Sequence, residues 1–258
     1  DFRYQKVKFN GSGEIRINEG IQKKLLSLDF PISHKIKGPL SLNDIYVLPD
    51  FNDKFSEKKK SKIIGYTKIH ESMMNTEHKV ILIEGAKETG KTSFLQHSFI
   101  DLYKKHFIPL LLEGAKINSS FLKNLDFKLK DIITSQYSAE NLETIHQSDS
   151  SKRILLIDNW NDLKINSNGK SELLREMQNY FSKIVITTDN VGSSTTDFLD
   201  ISGNIIGEFN VYELRKMGFK KREELIEKWI RMGSEYDKEE SDILIQVDEY
   251  ARIINGIV

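Results

Sequence analysis

Residues 85–93 read Gly85-Ala86-Lys87-Glu88-Thr89-Gly90-Lys91-Thr92-Ser93, which sets two glycines, a lysine and a hydroxyl at the spacing G-x-x-x-x-G-K-[ST]. That spacing suits one chemistry. The glycines let the main chain fold back so that successive N–H groups surround phosphate oxygens. Lys91 is placed to reach β- and γ-phosphates and the Thr92 hydroxyl to ligand Mg²⁺, and a helix starting near Lys91 turns its positive end to the same place. The run 85–93 is therefore the candidate polyphosphate-binding loop.

Such a loop works with a carboxylate that holds Mg²⁺ through water at the end of a neighbouring buried strand. Asp158, after the aliphatics of "RILLID", is the candidate metal-side acid. Many ATPases set a glutamate beside this acid to activate water, but here the neighbour is Asn159. Asp162 is the nearest later carboxylate that could stand in as a catalytic group beside Lys91 and Asp158, and it reads equally well as solvated loop charge. A third strand ends in "ITTD", where Thr187 or Thr188 either meets the phosphate and attacking water or makes strand-end hydrogen bonds. Asp189 follows where an arginine would sense a terminal phosphate. Because a carboxylate there repels nucleotide, it is expected to point away.

The elements that position these groups are legible from periodicity. "KVILIEG" (79–85), "FIPLLLEG" (107–114), "RILLIDN" (153–159), "KIVITTD" (183–189) and, more weakly, "NIIGEFN" (204–210) are short aliphatic runs without polar alternation, as strands buried on both faces require. Helix-length amphipathic stretches separate them. The run after the loop carries Phe94, Leu95, Phe99, Leu102 and Tyr103 on one face. Alternating strands and helices imply right-handed crossovers and a parallel sheet. The expected fold is therefore α/β: a three-layer αβα P-loop architecture, ASCE-like, with a central parallel sheet.

Three segments are expected. Residues 1–60 form an N-terminal extension with a short hairpin around "GSG" (11–13), a brief helix over "EGIQKKLLSLDF" (19–30), and a connecting stretch holding Pro31, Pro39 and Pro49. Residues 61–210 form the nucleotide-binding domain, opened by a helix over "GYTKIHESMMN" (65–75). Strands are expected to stop at 210, and 211–258 to form a helical subdomain. There Leu225, Ile226, Trp229 and Ile230 share one face, closed by Gly233, and Ile243, Leu244, Val247, Tyr250, Ala251 and Ile254 share another. The start at Asp1 and the apolar end "ARIINGIV" are expected of a fragment of a longer chain.

Composition removes several classes. Lys plus Arg and Asp plus Glu number 38 each, so no global field draws the chain to nucleic acid or an anionic membrane. "EKKKSK" (57–62) reads as a solvated loop. The absence of cysteine excludes disulfides and thiolate metal sites. No apolar run approaches bilayer length and no signal core opens the chain, so a cytoplasmic, membrane-free protein is expected. "HESMM" (70–74) lacks the second histidine of a zinc-protease helix, and the six histidines read as structural or surface groups. Asp158 is followed by Asn159, Trp160 and Asn161 rather than by the D-x-x-G of a GTPase switch, and no N/T-K-x-D string is present, which favours adenine over guanine, hence ATP or ADP with Mg²⁺. Trp160 and Trp229 read as core or interface anchors.

Four stretches together resemble the STAND class of P-loop NTPases, related to NACHT and apoptotic-ATPase modules. They are "LSLNDIYVLPDF" (40–51), "IEGAKETGKTSFL" (83–95), "LLIDNWNDLKIN" (155–166) with "FSKIVITTD" (181–189), and "MGFKKREELIEKWIRMG" (217–233). The likeness covers roughly residues 40–258 and is nearest to bacterial members with an N-terminal effector, often metallophosphoesterase-like, linked to antiphage defence. The resemblance implies a nucleotide-gated switch that forms a homo-oligomer when activated, with effector and sensor domains lying outside this chain. Gly85, Gly90, Lys91 and Thr92 match its phosphate loop and Asp158 its metal-side acid. Two departures point to slow hydrolysis: the D-G-h-D-E string reads D-N-W-N-D from Asp158 to Asp162, and the sensor arginine reads Asp189. The alternatives are an AAA+- or helicase-like ATPase acting on nucleic acid, a small-molecule kinase, and a scaffold that binds nucleotide without turnover.

Overall fold

Val80–Ile83, Ile154–Ile157 and Ile184–Ile186 have no solvent exposure at any position. Strands of this kind are stable only when both faces are covered. A computed structural model of the chain, which describes residues 7–9, 12–28, 30–54, 62–75, 78–189, 209–232 and 239–257, shows that cover. The elements run β1 (Val7–Phe9), β2 (Ser12–Ile15), α1 (Glu19–Leu26), β3 (Ser33–His34), β4 (Gly38–Pro39), α2 (Leu42–Ile45), β5 (Asp50–Asp53), β6 (Lys62–Gly65), α3 (Tyr66–Met74), β7 (Val80–Glu84) and α4 (Lys91–Lys104). They continue with β8 (Ile108–Glu113), α5 (Ser119–Lys123), α6 (Leu125–Gln136), α7 (Leu142–Gln147), β9 (Arg153–Asp158), α8 (Ser167–Tyr180), β10 (Lys183–Thr188), β11 (Phe209–Leu214), α9 (Phe219–Arg231) and α10 (Glu240–Ile257).

The main sheet has seven strands in the order β6-β5-β11-β7-β10-β9-β8. From β11 to β8 every pairing is parallel, and β5 and β6 add an antiparallel edge. β10 lies between the strand that carries the loop, β7, and the strand that ends in Asp158, β9. This inserted strand is the ASCE arrangement expected from the sequence, and the fold is a P-loop α/β fold. Parallel register brings the C-terminal ends of β7, β9 and β10 to one edge, with Thr188 opposite Glu84 and Ile186 opposite Ile157. The amphipathic α4 buries all five apolar residues expected of it, Phe94, Leu95, Phe99, Leu102 and Tyr103.

Several expectations need correction. Of the weak strand expected at 204–210, residues 209 and 210 open β11, which runs to Leu214, past the point where strands are expected to stop. Polar Asn210 and Glu213 hide it, because Glu213 sits at the strand end and accepts a hydrogen bond from Asn52 Nδ2 at 3.0 Å. The stretch around Pro31, Pro39 and Pro49 is not merely a connector: it holds the β3–β4 hairpin, α2 and β5. β5 escapes a hydrophobicity reading since Phe51 is its one core residue, packed edge-on to Phe94 at 5.3 Å between ring centres. One sheet therefore takes strands from both sides of the divisions at 60/61 and 210/211. Residues 57–61, 204–208 and Gly233 lie outside the described residues, as does Gly11 of the "GSG" turn.

Of the face expected on α10, Ile243, Val247 and Ala251 are buried with Ile226 and Ile230 of α9, whereas Leu244, Tyr250 and Ile254 are exposed. Trp160 is fully buried, and Trp229 stands edge-on to His34 with ring centres 5.0 Å apart. No helix among the described residues is long and apolar enough to cross a membrane.

A polar knot backs α4 on the side of α3. Tyr66 Oη donates to Asp101 Oδ2 at 3.0 Å, His97 Nε2 lies 3.4 Å from the same oxygen, and His70 stacks on Tyr66 at 5.6 Å. Burial pushes the His70 imidazole below its ordinary value of 6.5, against the opposing pull of Asp101 and Glu71 and with the help of Lys105 and His97. A base depressed in the folded state contributes stability that is full above the unfolded value and lost as pH falls through the folded one. Thermal melts should therefore show a falling midpoint as pH drops below 6.5, and His70→Phe, which keeps the ring on Tyr66, should flatten that slope.

Candidate phosphate-binding site

β7 delivers the chain to the sheet edge, where the Gly85 N–H donates to Thr188 O at 3.1 Å. A side chain at Gly85 would place its Cβ 2.6 Å from Thr89 Oγ1, the hydroxyl that donates to Ala86 O at 2.8 Å and closes the loop. The turn then passes through Glu88 and Gly90, both with positive φ, 64° and 90°. Gly90 stands at the N-terminus of α4 without a side-chain cap, so the first amides of the helix face the loop's interior with no side-chain acceptor. Ala86, Lys87, Glu88 and Gly90 are exposed, Thr89, Thr92 and Ser93 half-buried, and Gly85 and Lys91 buried.

Lys91 is 6% exposed. Its Nζ donates to Gly85 O at 2.7 Å and Ala86 O at 2.8 Å, so the loop's own carbonyls hold it at the phosphate end. It also lies 3.0 Å from Asp189 Oδ1. This corrects the expectation that Asp189 points away: β10 is the neighbour of β7, and the residue after its end leaves the sheet beside the loop. Thr92 Oγ1 donates to Asp158 Oδ2 at 2.8 Å, and Thr187 Oγ1 donates to Asp158 Oδ1 at 2.6 Å. Thr187 in turn accepts the Asn159 N–H at 3.0 Å. The hydroxyl and carboxylate singled out as metal-side ligands thus meet directly. Asp162 stands apart: it is exposed, on a single 3-10 turn (Trp160–Asp162), and its carboxylate has no partner among the described residues.

Asn159 is the first departure from a hydrolytic pattern, and its conformation explains the residue. Its φ of 55° and ψ of 66° are left-handed, a region asparagine tolerates better than glutamate. The turn it starts carries Asn161, whose Oδ1 accepts from Thr188 Oγ1 at 2.7 Å and from the Asp189 N–H at 2.8 Å. Of the two threonines left open by the sequence, Thr187 serves the acid and Thr188 the Asn161 anchor.

Beside the loop lies a cavity of about 490 Å³, a size typical of small-molecule sites. Ile45, Val47 and Pro49 line it on one side, Met217, Phe219 and Leu225 on another, and Thr89, Gly90 and Ser93 of the loop open into it. Sequence periodicity gives no sign of this cavity, because its walls come from segments far apart in the chain. The donor set fits a nucleotide with Mg²⁺: an amide-rich turn, a buried ammonium, a hydroxyl–carboxylate pair, and an apolar slot adjoining them.

No family model matches the sequence, and no curated protein matches it. Among solved structures, the chain is similar to the replication initiator DnaA bound to AMPPCP and single-stranded DNA, at 15% identity over 73% of this chain and 58% of that one, with a TM-score of 0.41. It is similar to domain III of DnaA from Thermotoga maritima at 17% identity over 70% and 75% of the two chains, TM-score 0.39. A variant of RuvB from Thermotoga maritima is similar at 12% identity over 69% of this chain and 53% of that one, TM-score 0.40. Identities and scores this low carry nothing about activity. The match spans little more than half of the DnaA chain with bound DNA, 58%.

Gly114 was missed by the sequence reading. A Cβ there would fall 2.1 Å from Asn159 O, so the 3-10 turn after β8 (Gly114–Lys116) passes hard against the turn that holds Asn161. Gly114→Ala should lower unfolding free energy by about 1–3 kcal/mol, the usual cost of forcing atoms into a packed site, as read by urea denaturation.

Proposed function

We propose that the chain is an adenine-nucleotide-binding module of the STAND type, in which bound nucleotide gates self-assembly and the activation of an attached effector in antiphage defence. The observation that carries this reading is the meeting of Lys91, Thr92 and Asp158 at one sheet edge beside an apolar cavity. In the proposal the amides of 85–93 and the Lys91 ammonium bind the phosphates, and Thr92 with Asp158 holds Mg²⁺, which when bound neutralises phosphate charge. The base would enter the slot between Val47 and Phe219.

Slow hydrolysis follows from the residues after Asp158. Asn159 carries no carboxylate and its N–H is committed to Thr187, and Asp162 lies outside the hydrogen-bonded group. A site that binds tightly and turns over slowly suits a switch, because the ligand then shifts a population by its differential affinity for two states. The balanced charge, 38 basic against 38 acidic residues, supports a protein partner, a second copy of the chain, over nucleic acid.

Calorimetric titration with ADP and ATP in Mg²⁺ tests the reading. Wild type should bind, and Lys91→Ala should lose about 100-fold or more in affinity, the scale of losing charge-assisted hydrogen bonds in a buried site. Phosphate release should run at about 10⁻² s⁻¹ or slower, the range of switch NTPases without a partner. Retained affinity in Lys91→Ala would refute the phosphate site. Turnover accelerated by single-stranded DNA would replace the switch with a nucleic-acid ATPase.

A further inference from the structure

The ammonium of a phosphate-binding lysine normally has only carbonyl oxygens and its ligand to answer to. Here a third partner is built in. The Asp189 carboxylate stands 3.0 Å from Lys91 Nζ, and the lysine is 6% exposed while the aspartate side chain is 42% exposed. The ion pair is therefore half in water: the lysine is fixed, and the carboxylate has solvent to swing into.

The main chain that aims this carboxylate is not free. β10 ends at Thr188, opposite Glu84, so the next residue stands opposite Gly85 at the mouth of the loop. Asn161 Oδ1 takes both the Thr188 hydroxyl and the Asp189 N–H, which ties the strand end to the turn after Asp158. A second carboxylate, Asp158, stands at the same sheet edge, bonded to Thr92, the residue after Lys91. Two carboxylates thus stand at the sheet edge where a polyanion is to bind, and it is Asp189 that pairs with the ammonium. Asp158 has a use for a cation brought by the nucleotide. Asp189 instead spends its carboxylate on Lys91.

We propose that Asp189 is a tethered anion that competes with the terminal phosphate of a nucleotide for Lys91, and so makes the site select a nucleoside diphosphate over the triphosphate. The inference rests on the nucleotide-binding reading above and adds the specificity of that site. A diphosphate takes the amides of the loop and meets Lys91 with its β-phosphate alone, so it can share the ammonium with Asp189. A triphosphate must break the pair and then meet the displaced carboxylate with its own most charged end. Selection against the triphosphate is selection by a repulsive element rather than by a missing contact.

The test is calorimetric titration of the folded chain with ADP and with the β,γ-methylene analogue of ATP, in Mg²⁺ and again in EDTA. The variants are Asp189→Asn, Asp189→Arg and Asn161→Ala, each checked by thermal melt. Asp189→Asn should tighten the triphosphate analogue by about tenfold or more and ADP by less than about threefold, on the scale set by removing one like charge from a charged contact. Asp189→Arg should shift the ratio further. Asn161→Ala, which frees the strand end, should shift it partway. The difference should widen in EDTA, where no cation shields the phosphates. A ratio unchanged in Asp189→Asn, or triphosphate binding weakened by it, overturns the proposal; the second outcome would make Asp189 a metal-side group. If the folded wild type and Lys91→Ala alike bind neither nucleotide, the site reading itself falls, a result distinct from a binding protein with an unchanged ratio.

Discussion

Asp158 is a carboxylate with 6% of its surface in solvent, and it is shared between two hydroxyls. An acid this buried persists in a fold only when its oxygens are answered. Thr92 comes from the first turn of α4 and Thr187 from the end of β10, so satisfying one side chain fixes three elements relative to each other. The phosphate loop cannot drift from β9 without stranding that acid, and β10 cannot slide without doing the same. The geometry at the sheet edge is therefore a consequence of polar accounting as much as of strand pairing.

The aliphatic strands make this possible by being fully covered. With no polar face, β7, β9 and β10 have a single way to lie, side by side within one layer, and parallel register then sends their polar last residues to a common edge. Lys91, Asp158, Thr187, Thr188 and Asp189 come from three separate stretches of sequence and meet for that reason alone. The same arrangement explains why Asp189 cannot avoid the loop: the strand that carries it is the neighbour of the strand that leads into the loop.

Much of this was legible in the sequence, and the reasons are specific. The loop is readable because its glycines and lysine are local in sequence and their spacing has a mechanical meaning. β7, β8, β9 and β10 are readable because continuous aliphatic runs have few other fates. β5 and the second half of β11 are hidden since their polar residues answer one another across the ladder, as Asn52 with Glu213 shows. The direction of Asp189 was misjudged by treating repulsion toward a ligand as the only force on it, when the nearest cation, Lys91, was in reach. Gly114 gave no sign because its constraint is a backbone passing from another part of the chain, and no local pattern encodes that.

The cavity beside the loop has walls from residues 45–49, just before β5, and from 217–225, just after β11. β5 and β11 are adjacent strands, so segments some way toward opposite ends of the polypeptide form two jaws hinged on one pair of ladders. Whatever fills the space between them is gripped by the chain's early and late portions at once. An occupant there would act as mortar between the start of α9 and the strands that flank β11.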